Sequence, residues 1–129
     1  MNTSRVKDQR RGIHGEGSTD KNGHFNRLSA AEDERLAVLA EECAEVIQAI
    51  TKIQRHGYDS RDPTSRAEYP PDNRQMLAAE IGDVMAAVEM LIDWRDVYRP
   101  DIVQATDAKR RKVQKYLHHH PALAGKDPA

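Results

Sequence analysis

Two clusters of acidic side chains stand at spacings that can support chemistry: Glu41-Glu42-Cys43-Ala44-Glu45 and Glu80-Ile81-Gly82-Asp83. Residues three apart project from one face of a helix. With Cys43 and Ile81 set at heptad position a of their apolar stripes, Glu42 and Glu80 both fall at g, and Glu45 and Asp83 both at c. The pairs flank their seams on the same side, so packing the two helices together gathers four carboxylates. Their mutual repulsion calls for a cation, and all-oxygen ligands suit a hard divalent ion, Mg²⁺ or Mn²⁺. Glu41 falls at f, away from the seam. The first cluster alone reads as solvated charge, because Glu32, Asp33 and Glu34 already make that segment acidic. The second differs. From Met76 to Ile92 the only charges are Glu80, Asp83 and Glu89, the profile of a central, buried helix. Carboxylates there are costly unless a metal or a metal-linked ligand meets them.

Three segments must position these groups, and each opens on a small acceptor followed three residues later by Glu or Gln: Ser29 with Glu32, Asp72 with Gln75, and Asp101 with Gln104. That pairing predicts a reciprocal helix cap. In the first segment Leu36, Leu39, Cys43, Val46, Ile50 and Ile53 form one stripe, which predicts a helix from about Ala30 to His56, stopped by Gly57. Cys43 lies on that stripe and reads as a small core residue. Leu77, Ile81, Val84, Val88 and Leu91 repeat the spacing and predict a second, more buried helix from about Asn73 to Arg95. A third, from about Ile102 to His119, has a thin apolar face interrupted by Lys109, Arg110, Arg111 and Lys112 and is expected to pack by its ends. Gly82, with Ala78, Ala79, Ala86 and Ala87, makes a small-residue surface suited to close approach of another helix; a merely tolerated helix glycine fits equally well. The fold class is all-α, a bundle of three long helices expected to be completed by oligomerisation.

Composition sets the outer bounds. The 129 residues suit one domain, and 38% hydrophobic, 5% aromatic and 32% charged residues favour helices over sheet. Twenty Lys and Arg against 21 Asp and Glu leave a net charge of -1, so no global field holds a nucleic acid or an anionic membrane. The single cysteine excludes an intramolecular disulfide, and apolar runs no longer than Val84 to Val88 are far too short to span a membrane. The cytoplasm is the expected compartment. Residues 1–27 are expected to form a flexible arm, 28–120 the helical domain, and 121–129 a loose tail.

In order and spacing, the two clusters resemble the mark of the MazG-like, all-α nucleoside triphosphate pyrophosphohydrolases, EExxE followed on a later helix by ExxD. The text LAEECAEVIQAITKIQRHG around the first cluster is similar to small phage and bacterial members, and the likeness runs from about Leu28 to Leu117. It implies Mg²⁺-dependent hydrolysis of a ribo- or deoxynucleoside triphosphate to the monophosphate and pyrophosphate, of house-cleaning type. It also implies assembly as a homodimer or homotetramer, and Glu42, Glu45, Glu80 and Asp83 as the metal-binding and catalytic acids. One departure is the thirty-four residues between Glu45 and Glu80, longer than in compact members. The excess lies in a connection, Gly57 to Pro71, that holds three prolines and bears on substrate choice.

A triphosphate also needs cations from the protein. Lys52, two turns beyond Glu45, and Lys109 and Lys112 on the third helix are the candidates there, each equally at home as a solvated lysine. In the connection, Arg61 and Arg66 could close over phosphates and Tyr58 or Tyr69 could stack on a base. Trp94 and Tyr98 read as core or interface aromatics. Two readings compete with the enzyme: a non-catalytic helical adaptor or regulator, and a nucleotide sensor on the same scaffold.

Overall fold

Helix α1 starts where the sequence offers a complete cap. Ser29 Oγ accepts from the Glu32 amide at 3.1 Å while the Ser29 amide donates to Glu32 Oε2 at 2.7 Å, satisfying two amides that a helix start otherwise leaves open. In the computed structural model, which describes residues 26–119, α1 spans Ala30–His56. It ends at Gly57, whose φ of 83° and amide bond to the Ile53 carbonyl close the last turn. Asp72 and Gln75 cap the second helix in the same reciprocal way, at 2.9 and 2.8 Å, and α2 runs Asn73–Asp93. It stops two residues short of the expected Arg95 because that residue takes a φ of 61°. Most of the expected arm and all of the expected tail lie outside the described residues.

The third helix departs from expectation at both ends. Asp101 and Gln104 do not cap it: α3 spans Arg99–Val113, its N-cap is Tyr98 without a side-chain bond, and a proline sits in the first turn. Pro100 brings a preset φ and no amide to satisfy, so the helix begins before the predicted cap, and Asp101 serves within the first turn against the helix dipole. Beyond Val113 the chain tightens into a short 3₁₀ turn, Gln114–Tyr116. The basic run there has little apolar surface to hold a longer helix in place.

Helices α1 and α2 form an antiparallel hairpin, the one extensive helix pairing among the described residues. At its open end Arg35 on α1 makes a two-bonded ion pair with Asp96, Nε to Oδ2 at 2.5 Å and Nη2 to Oδ1 at 2.9 Å. The same guanidinium lies 5.3 Å from the centre of the Trp94 ring. Helix α3 is tied to α2 near its start, where Arg99 grips Glu89 with both terminal nitrogens. All three helices form, and no strand occurs among the described residues.

Within one chain the apolar stripes are only partly covered. Among the described residues Ala87, Leu91 and Asn73 are buried, whereas Ile81 is 44% and Met85 63% exposed. Helix α2 is the more buried of the pair, as expected, with Leu77, Val84 and Val88 half-buried and Leu91 buried, but Ile81 on its stripe and Met85 beside it stay open. A Cβ built at Gly82 meets nothing within 4 Å, so none of the described residues packs closely on Gly82 itself, although Ala87 of the same small-residue surface is buried. Cys43 is exposed and is not a core residue. Trp94 and Tyr98, at 68% and 62% exposure, are likewise not part of a core.

Candidate active site

The hairpin register brings the two acidic clusters face to face. One carboxylate oxygen each from Glu42, Glu80 and Asp83 lies within 4.8 Å of the others, and the Glu45 carboxyl stands beside that of Glu80. Its close approach to the Glu80 carboxyl, followed by the charge of Glu80, holds the Glu45 carboxyl above its ordinary range, with desolvation, Glu41 and Asp83 acting in the same direction. Partial burial is the first cause at Glu42, followed by the charges of Glu45, Asp83 and Glu41. The ion pairs among the described residues involve none of the four acids.

An unrelieved group of carboxylates fits a hard divalent cation. Oxygen ligands of an octahedral Mg²⁺ stand about 3 to 4 Å apart, given bonds of about 2.1 Å. The observed separations of up to 4.8 Å require only side-chain adjustment to reach that shell. Glu42, Glu80 and Asp83 are the residues that could hold such an ion, with Glu45 adjoining.

Beside the acids, Glu45, Glu80, Gln48, Lys52, Asn73 and Met76 line a cleft of about 180 Å³. Lys52, Asn73 and Met76 continue into a larger basin of about 730 Å³ between the end of α1 and the long connection. This volume is in the range of small-molecule sites. The connection is fastened at its base: the Asn73 side-chain amide donates to the Gly57 carbonyl at 2.8 Å. The backbone amides of Asn73 and Arg74 donate to the carbonyls of Ser60 and Tyr58, each at 2.9 Å. Arg61 bonds the Pro70 carbonyl and pairs with Asp72 at 3.8 Å.

Of the residues expected to meet a phosphate, Lys52 and Arg61 line the basin. Arg66 lines neither cavity, and Lys109 and Lys112 stand on the exposed face of α3, away from both. Neither Tyr58 nor Tyr69 lines either cavity. Tyr58 is covered by Arg74, whose guanidinium lies 4.5 Å from the ring centre, and Tyr69 is 85% exposed. Arg55 and His56, which line the basin, were missed by sequence reasoning. Their signal was their spacing from Lys52 by three and four residues on one helix, obscured because basic residues are ordinary in a last helical turn.

The MazG nucleotide pyrophosphohydrolase domain matches residues 31–124, which include both acidic clusters and all three helices. The chain belongs to the MazG family. No curated protein and no solved structure matches it. The match places the EExxE and ExxD clusters, and the basin beside them, inside the MazG domain.

Proposed function

We propose that this MazG domain hydrolyses a nucleoside triphosphate between its α and β phosphates, giving the monophosphate and pyrophosphate, with Mg²⁺ held by Glu42, Glu80 and Asp83 and by Glu45 beside them. The observation that supports this most is the convergence of three carboxylate oxygens within 4.8 Å in a chain of this family. When bound, the metal supplies charge neutralisation of the phosphates and polarisation of the attacked phosphorus. The chain's own acids do the rest. A carboxylate of the quartet orients a water and accepts its proton as the oxygen bonds to the α phosphorus. The bond from that phosphorus to the bridging oxygen then breaks, and pyrophosphate leaves with the bridging oxygen. Lys52 stands in the cleft beside Glu45 and Glu80, where an ammonium group offsets charge on the leaving phosphates. The exposed Ile81 and Met85 on α2 support completion of the domain as a homodimer or homotetramer, and the cytoplasm is the proposed place of action.

The test is incubation of the full chain with each ribo- and deoxynucleoside triphosphate and Mg²⁺, followed by product analysis. Monophosphate and pyrophosphate are expected; orthophosphate and diphosphate would contradict the assigned bond. Glu80→Ala is expected to bring turnover below detection while the helical circular dichroism stays as in the parent.

A further inference from the structure

The larger basin has a polarity that its volume alone does not explain. One wall is the end of α1, which offers Lys52, Arg55 and His56. Arg61 faces them from the connection, and the one acid in the lining is Asp62. Asp62 is already engaged by the Thr64 amide and hydroxyl, at 2.8 and 2.7 Å. Lys52 and Arg55 take part in no ion pair among the described residues, although the Lys52 charge is felt by Asp62 and Arg61 is shared with Asp72. Unpaired cations converging on a concave surface favour an anion. The lining holds no tyrosine, tryptophan or phenylalanine, so it has no broad ring on which a base could lie.

We infer that this basin receives the phosphate tail beyond the cleaved bond, so that pyrophosphate leaves toward the connection and the nucleoside lies on the opposite side of the acid quartet. The inference rests on the hydrolase reading above. Lys52, shared by the cleft and the basin, is the joint between the site of cleavage and the tail. Arg55 and His56 grip the tail further along. The arrangement selects substrates by the length of their phosphate chain, since a monophosphate cannot reach Arg55.

Calorimetric titration of inorganic pyrophosphate and, separately, of adenosine and cytidine monophosphates into the full chain with Mg²⁺ tests the assignment. Arg55→Ala and Lys52→Ala are each expected to weaken pyrophosphate binding about tenfold, the usual scale for loss of one charge-assisted contact. Monophosphate binding is expected to stay within about twofold in Arg55→Ala, and Arg55→Lys to recover part of the loss, because its charge reaches the same phosphate. Absence of pyrophosphate binding to the parent, or unchanged affinity in both alanine variants, overturns the inference. A loss that falls on the monophosphates instead places the nucleoside in the basin and overturns it too. Because binding is read without turnover, a protein that cleaves no triphosphate still gives this answer. Conversely, a basin that fails here leaves hydrolysis at the acid quartet standing.

Discussion

Glu42 and Glu45 keep their protons above the ordinary carboxylate range, which gives the metal-free fold an unusual pH response. Here the folded value is raised, so the folded state binds more protons than the unfolded one. Stability therefore falls as pH rises through the unfolded glutamate value of about 4.3 and on through the raised folded values. Glu45→Gln removes part of that repulsion, and its melting temperature without metal is expected to exceed the parent's at neutral pH and to match it near about pH 4. Mg²⁺ should stabilise the parent at neutral pH, and the variant should bind it at least about tenfold more weakly, as loss of a supporting group at a metal site commonly does. Thermal unfolding with Mg²⁺ and with chelator reads both effects; an unchanged metal-free melting temperature for Glu45→Gln at neutral pH contradicts the account. The juxtaposition of Glu42, Glu80 and Asp83 was legible because three-residue spacing and matching heptad positions fix which way a helical side chain points. Arg55 and His56 were not legible, since what gives them meaning is a wall contributed by a distant connection.

At the scale of elements, the caps of α1 and α2 could be read directly, because a capping box is a local exchange of hydrogen bonds between residues three apart. The start of α3 could not, because Pro100 competes with Asp101 for the helix start and spacing alone does not rank them. Gly57 is the element-level position with least freedom. At a φ of 83° with no neighbour within 4 Å of a built Cβ, backbone conformation alone penalises a side chain there. Gly57→Ala is expected to cost about 1–2 kcal/mol in urea unfolding, whereas Gly82→Ala, in an open helix interior, should gain about 1 kcal/mol in a single chain. If Gly82→Ala destabilises instead, a second protomer approaches that surface. The Arg35–Asp96 brace has the opposite pH sign to the acid quartet. Asp96 is held below its ordinary value first by its hydrogen bond from Arg35. Its contribution is complete above the unfolded aspartate value of about 3.9 and is lost as pH falls through the lower folded value. Asp96→Asn should remove that acid-sensitive share of the unfolding profile.

At the scale of the molecule, the hydrophobic stripes predicted the helices and their pairing, but not which faces a single chain covers. Periodicity reports that a face is apolar; what lies on it depends on partners. With Ile81, Met85 and Ile47 exposed by 44%, 63% and 61%, one hairpin leaves much of its apolar surface in water, which association would relieve. Sedimentation of the parent is expected to give a multiple of the 14.6 kDa chain mass. Met85→Glu should shift it toward the single chain and lower the melting temperature. A parent that sediments as one well-folded chain contradicts this.

The fastening of Gly57, Tyr58 and Ser60 to Asn73 and Arg74 makes the intervening segment a cassette. Its ends stay together whatever lies between them, and closing a loop of twice the length costs only about 0.6 kcal/mol more. Insertions and deletions there leave the helical register, and hence the meeting of the two acidic clusters, untouched. The hairpin is thus a chassis on which the basin can diversify while the acid quartet stays constant.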